Sequence, residues 1–143
     1  MEVKIKNTLL DTAIEMFYTM ELKGKKSRHR TKFVQMLGNH YDEVVEQEKE
    51  LLKENCYLDE DGNPKMSEDG KSFEVKDMKN LQNEIQLLQS EELVIASPEN
   101  RTLLLTIREI LDECEEEYSN EKATVYAHLC DIFKVDEDLG IEE

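Results

Sequence analysis

The feature that most restricts the fold is a long central stretch in which apolar side chains recur at helical spacing. Its apolar members are Phe33, Leu37, Tyr41, Val44, Leu51 and Leu52. This spacing follows the 3.6-residue turn of an α-helix and places these side chains on one face. We predict one long helix that is capped by Ser27 and ends at about Cys56.

Four shorter segments follow the same period and predict four further helices, at about 8–24, 78–88, 98–114 and 120–133. Asn7 or Thr8 is suited to cap the first of them. Ser97 followed by Pro98 predicts the start of the helix that runs to Cys114, because proline fits the first helical position.

Short strands are predicted at two places, where Val3 and Ile5 alternate with charged residues and where residues 93–96 form an apolar run. Two turn clusters, 58–64 and 67–71, precede a further alternating segment at 72–75. Turn residues of this kind between extended segments indicate a small β-hairpin or a double turn.

The predicted fold class is therefore α+β and predominantly helical, with about five helices and a small sheet or hairpin of short strands. A length of 143 residues suits a single domain over residues 1–143, and we expect its acidic tail, about 136–143, to be frayed. No apolar run approaches the ~20 residues that cross a bilayer, and no secretory signal opens the chain. We expect a soluble intracellular protein without a membrane partner.

Charge is distributed very unevenly along the chain, whose formal net charge is −16. Residues 23–32, here called the basic segment, contain no acid and six bases: Lys23, Lys25, Lys26, Arg28, Arg30 and Lys32. The rest of the chain has 12 basic and 34 acidic residues, a balance of −22.

The position of the basic segment is unfavourable if Ser27 caps the long helix. Arg28, Arg30 and Lys32 then lie in its first turns, where the helix dipole favours anions and each exposed cation costs a few tenths to about 1 kcal/mol. Something must offset this cost: the protein's own acids, such as residues 115–117 or the tail, an acidic protein partner, or nucleic acid. Nucleic acid is the weakest of the three, because the chain is acidic overall and the segment lacks stacking aromatics before Phe33.

Metal chemistry is not indicated. Asp59, Asp61 and Asn63 alternate as in a calcium loop, but the positions that require glycine and glutamate hold Pro64 and Gly70. For zinc there is no Cys-x-x-Cys pair, and two helical residues two positions apart, such as His128 and Cys130, point to different sides.

Catalytic chemistry is not indicated either. None of the three cysteines and three histidines lies beside a nucleophile elbow or a glycine-rich anion loop, and no dinucleotide fingerprint occurs. We therefore predict a protein that is not an enzyme and that has no catalytic residues, no metal site and no cofactor. Three cysteines at unrelated spacings also indicate no disulfide framework.

Residues 21–33, followed by 50–54 and by 58–64, resemble a family of uncharacterised proteins from phages and prophages of Gram-positive bacteria, a domain of unknown function. The resemblance covers most of the chain and is strongest over residues 21–64. It implies a phage protein located in the host cytoplasm or associated with the virion, and it supplies no catalytic residues.

We expect a non-enzymatic phage or prophage protein that acts through protein–protein contacts, for example in virion or tail assembly. Its partner would be a phage structural protein or a host protein, bound by the six cations of the basic segment. One alternative is an acidic inhibitor of a host defence or DNA-processing protein, which imitates the charge of DNA. Another is nucleic-acid binding through residues 23–32. The sequence does not fix the oligomeric state.

Overall fold

The computed structural model describes residues 1–139 and confirms the predicted class, α+β and predominantly helical. The elements in chain order are β1 (Glu2–Lys6), α1 (Asn7–Tyr18), α2 (Gly24–Asn55), α3 (Met78–Ser90), β2 (Glu92–Ala96), α4 (Arg101–Asp112) and α5 (Asn120–Ile132). The strands β1 and β2 form a two-stranded antiparallel sheet in which Lys4 lies opposite Val94. Within these residues, no helix is long and apolar enough to cross a membrane.

The predicted long helix is confirmed as α2, whose 32 residues span about 48 Å at 1.5 Å per residue. Its predicted cap at Ser27 is wrong, because the helix begins one turn earlier at Gly24. Lys23 precedes it in an extended conformation and makes no side-chain cap. Gly24 has a φ of +60°, which glycine adopts without steric cost because it lacks a Cβ atom. This conformation allows the chain to turn sharply into the helix.

The core lies where the first two-thirds of α2 meets α1, α4, α5 and the inner face of the sheet. Phe33 of α2 is its centre, with its ring 5.2 Å from that of Phe17 and 5.8 Å from that of Phe133, both edge to face. All three rings are fully buried. Val3 and Ile5 of β1 are also buried in this core, as their alternation predicts.

Residues 56–77, here called the distal arm, connect α2 to α3 away from this core. Three isolated bridges hold the arm, Cys56 with Val75, Leu58 with Pro64 and Met66 with Phe73. Of the two predicted alternatives, the arm therefore corresponds to a double turn with single bridges rather than to a regular hairpin.

One aspartate in each of the two turns of the arm accepts hydrogen bonds from the backbone of its own turn. Asp59 accepts hydrogen bonds from the N–H groups of Asp61 and Asn63, and Asp69 accepts one from Lys71. Such bonds explain acids at these positions as turn formers. The pKa of Asp69 is lowered, chiefly by a hydrogen bond from the Ser67 hydroxyl and further by the one from the N–H of Lys71.

Two further helix boundaries differ from the predictions because the expected capping groups bond elsewhere. The hydroxyl of Ser97 donates to the carbonyl of Met1, residues 97–100 form a turn, and α4 begins only at Arg101. The side chain of Asn7 donates to the carbonyl of Leu88 instead of capping α1.

The first helix is also shorter than predicted, because α1 ends at Tyr18 rather than near Gly24. Of the tail predicted to be frayed, residues 140–143 lie outside the described residues. In the described part, the carbonyl of Glu137 accepts a hydrogen bond from Arg108.

Replacing Phe33 with alanine is expected to lower the free energy of unfolding by about 3–5 kcal/mol, because the cavity would open between two buried rings. Tyr18→Ala is the matched control, since that ring is 73% exposed and its loss should cost less than about 0.5 kcal/mol. Urea denaturation followed by circular dichroism measures both values. Equal losses in the two variants would contradict the central position of Phe33.

Candidate functional site

The basic segment forms the corner between α1 and α2. Lys23 precedes α2, and the other five cations lie within its first three turns. The helical period sorts them into two groups. Lys26 and Arg30 lie on the stripe that continues to Phe33 and so face the protein, whereas Lys25, Arg28 and Lys32 lie on the opposite side.

Lys26 is paired with acids of α4. Its Nζ atom lies 3.6 Å from a carboxylate oxygen of Glu109 and donates a hydrogen bond to Glu113. The hydrogen bond to Glu113 is the main reason that the pKa of Lys26 is raised above its ordinary value. This cation is therefore neutralised within the fold and joins α2 to α4.

Arg30 binds the carboxyl end of α1. Its guanidinium donates to the carbonyl oxygens of Phe17 at 2.9 Å and Met20 at 2.6 Å. The last carbonyls of a helix have no partner within the helix and carry partial negative charge, so a cation suits this position. Arg30 thus acts structurally, as a cap supplied by the next helix.

The remaining four cations, Lys23, Lys25, Arg28 and Lys32, are exposed, and no carboxylate of residues 1–139 pairs with their side chains. The last three are spaced three and four residues apart, so they lie in line on the solvent face of α2. We call Lys25, Arg28 and Lys32 the cationic ridge.

His29 lies between the ridge and α4, and the charges of the ridge affect its pKa. The Thr106 hydroxyl donates to the carbonyl of Thr102, so its oxygen accepts the N–H of the His29 ring, with Nδ1 and Oγ1 2.8 Å apart. Burial is the first cause of a lowered pKa at His29, and the charges of the three ridge residues lower it further. All three ridge residues therefore disfavour the protonated form of His29.

Lys25 is held against the preference of its own helix. The first turn of α2, residues 24–27, contains no acid, although the positive end of the helix dipole lies there. An exposed cation in this turn costs a few tenths to about 1 kcal/mol, whereas Arg28 and Lys32 lie in later turns, where the dipole has little effect. The contacts to Glu109 and Glu113 offset this cost for Lys26, but nothing among residues 1–139 offsets it for Lys25.

Of the acids predicted to neutralise the basic segment, residues 115–117 do not do so; residues 140–143 of the tail lie outside the described residues. Residues 115–117 are exposed and form no ion pair with it among the described residues. They line one side of an open cleft of about 400 Å³ whose other walls include Met20, Leu22 and Ile110. The pairing with Glu109 and Glu113 was missed because no sequence signal places the end of α4 beside the start of α2. The sorting of the cations could have been found by projecting residues 23–37 onto a helix.

Two thiols are poorly suited to nucleophilic chemistry. Burial is the main reason that the pKa values of Cys56 and Cys130 are raised, so both thiols are protonated at neutral pH. Among residues 1–139, no group of three or more His, Cys, Asp or Glu side chains is placed to hold a metal ion.

No family model matches the chain, and comparisons with curated proteins and with solved structures also give no match.

Neutralising the ridge with Lys25→Gln, Arg28→Gln and Lys32→Gln is expected to raise the pKa of His29, because three neighbouring positive charges are removed. Titration of the His29 ring by NMR measures the change. An unchanged midpoint would contradict the claim that the charges of the ridge act on His29.

The lowered pKa of His29 also makes the stability of the protein depend on pH. Between this lowered pKa and about 6.5, His29 binds fewer protons in the native protein than in the unfolded chain. The contribution of His29 to the free energy of unfolding therefore decreases as the pH drops across that window, and above the window it does not change with pH.

The two groups of cations should respond differently to truncation. Arg30→Ala is expected to lower the free energy of unfolding by about 1.5–3 kcal/mol, because charged hydrogen bonds to the end of α1 are lost. Lys32→Ala should change it by no more than about 0.5 kcal/mol. Thermal denaturation compares the two, and equal losses would refute the assignment of Arg30 as a structural cap.

Proposed function

We propose that this protein is a non-enzymatic binding protein that holds an acidic surface of a protein partner on its cationic ridge. The observation that carries the proposal is the division of the basic segment. The fold uses Lys26 and Arg30, while Lys25, Arg28 and Lys32 stand exposed in a line and form no ion pair with any carboxylate of residues 1–139. Arg28 can bind a carboxylate through two parallel hydrogen bonds, and the lysines beside it act as mobile point charges.

An acidic protein fits this surface better than nucleic acid does. The net charge of −16 repels a long polyanion, whereas a protein surface can place a few carboxylates locally on the ridge. No aromatic side chain lies between the ridge residues to stack on a base. The resemblance to phage proteins suggests the setting, in which the partner is a phage structural protein and the contact serves virion or tail assembly.

A second candidate function rests on the acids beside the ridge. Glu115, Glu116 and Glu117 are exposed at the cleft near Lys26 without ion-pair partners among residues 1–139. An inhibitor that imitates DNA would present such acids to the basic groove of a host defence or DNA-processing protein. In that case the ridge would be dispensable and the acids essential, so the two proposals make opposite predictions.

Reversing the ridge with Lys25→Glu, Arg28→Glu and Lys32→Glu is expected to weaken partner binding at least tenfold. The Lys25→Glu part of this change should stabilise α2, because a glutamate suits the first turn of a helix. A loss of binding with a raised melting temperature therefore cannot be explained by unfolding. The control is Lys53→Glu, Lys71→Glu and Lys79→Glu, which changes the net charge equally at exposed lysines remote in sequence from the ridge.

Affinity purification of the three tagged proteins from phage-infected cells tests the proposal. The wild type and the control should retain the same phage structural proteins, and the ridge variant should lose them. Equal retention by all three proteins would contradict the proposal. Retention of a host nuclease by all three would favour the inhibitor, whereas ridge-dependent retention of nuclease-sensitive DNA or RNA would assign the ridge to nucleic acid.

A further inference from the structure

The two-stranded sheet has one outer edge on each strand, and the hydrogen-bond pattern shows which backbone groups face these edges. The N–H of Asn7 donates to the carbonyl of Glu91, and that of Ser97 donates to the carbonyl of Met1. Hydrogen-bonded pairs alternate along an antiparallel ladder, so the pair Lys4 and Val94 lies between bonded pairs. The N–H and C=O groups of Val94 therefore point away from β1, and neither bonds to any group of residues 1–139.

The two edges differ in their protection against further pairing. Lysines on an edge strand discourage the addition of another strand, and β1 carries Lys4 and Lys6 on its outer face. The corresponding central residue of β2 is Val94, whose side chain is 51% exposed. Valine favours a strand and carries no charge, so the centre of the β2 edge lacks the lysine that protects β1, and the one charge of β2 lies at its first residue, Glu92.

The edge of β2 also borders a groove. An open cavity of about 340 Å³ lies between residues 93–96 and one face of α2, where Met36, Asn39, His40 and Glu43 form the opposite wall. His40 is fixed there, because its Nε2 lies 2.8 Å from the Oδ1 of the buried Asn7. The groove thus has one wall of strand backbone and one wall of positioned side chains. On the strand, the backbone groups of Val94 have no partner among residues 1–139, whereas the carbonyl of Ala96 accepts a hydrogen bond from the side chain of Asn100.

We propose that the edge of β2 binds an extended peptide segment of a partner protein, which adds to the sheet as a third strand. Main-chain hydrogen bonds to Val94 supply the affinity, and alternate side chains supply the selectivity. The inward side chains are apolar, because Leu93, Ile95 and Met36 are partly or fully buried along that side.

Charge complementarity defines the outward side chains of the peptide. The acids at this edge are Glu92 on the outer face of β2 and Glu43 on the wall of the groove, where a carboxylate oxygen of Glu43 lies 3.7 Å from Nδ1 of His40. The outward side chains of the peptide are therefore basic and lie beside these acids, so that apolar and basic residues alternate along the peptide. β1 already shows this chemistry on the other edge of β2, with Val3 and Ile5 inward and Lys4 and Lys6 outward.

The groove continues the face of α2 that carries the ridge. Met36 follows Lys32 by four residues and Glu43 follows Met36 by seven, so all three lie along one side of the helix. The idea that one partner covers both surfaces rests on the proposed function, whereas the addition of a strand to β2 does not. Binding at the ridge and binding at β2 can be distinguished with salt. About 0.5 M salt screens exposed charges and leaves main-chain hydrogen bonds and apolar contacts in place.

A random library of displayed peptides of about twelve residues, selected on the full chain in about 0.5 M salt, tests the strand addition. Selected peptides should alternate apolar and polar residues. Val94→Pro should weaken their binding at least tenfold, because it removes the outward N–H while leaving the ladder to β1 intact. Lys4→Pro is the matched control, since it removes the outward N–H on the other edge and should leave binding unchanged.

Two further measurements keep the test decisive if a proline variant fails to fold. Asn39→Trp places a large ring in the groove from an exposed position of α2 and should also weaken binding at least tenfold. Amide exchange at Val94 should slow when a selected peptide binds. Selection without enriched peptides, or peptides that bind the wild type and Asn39→Trp equally, would overturn the proposal. Dimerisation of the wild type that Asn39→Trp abolishes would assign the edge to a second copy and overturn it too.

Discussion

The packing of Phe33 between Phe17 and Phe133 fixes the rotation of α2 about its axis, and the surface chemistry of the protein depends on that rotation. Lys26 and Arg30 share the side of the helix that Phe33 buries, so they meet the ends of α4 and α1. A rotation of about 100°, one residue, would expose a different set of cations. The hydrophobic core therefore decides which charges stabilise the fold and which remain available to a partner.

The electrostatics of α2 are unfavourable at its amino end. Its first turn has two lysines and no acid, whereas its last turn, residues 52–55, holds one base, Lys53, and one acid, Glu54. Natural sequences tend to satisfy local rules, and positions that break them without a compensating contact are candidates for function. The contact of Lys26 with Glu113 compensates one such position. The ridge has no such contact, so an interaction with another molecule is the physical reason that we assign to it.

Periodicity predicted most of the elements correctly, because the spacing of apolar residues reports which face of each element is buried. The boundaries were less predictable, since a residue can cap a helix only when no tertiary partner takes its hydrogen-bonding group. Ser97 and Asn7 bond to groups distant in the sequence, and Arg30 terminates α1 from the next helix. The sequence predicted which segment carries the candidate site, but not which of its cations form the exposed surface. Its ion-paired member, Lys26, depends on Glu109 and Glu113, which lie more than 80 residues away.

The ridge and the edge of β2 would contribute different physical properties to one complex. Charges act over about 8–10 Å in physiological salt, so a cationic ridge accelerates the approach of an acidic partner and orients it. Hydrogen bonds of an added strand act only at contact and slow dissociation. Because Met36 begins one helical turn beyond Lys32, a partner steered onto the ridge arrives with its neighbouring segment beside the groove. Because α2 carries the ridge and one wall of the groove on the same side, it would couple fast encounter to slow release without any change in conformation.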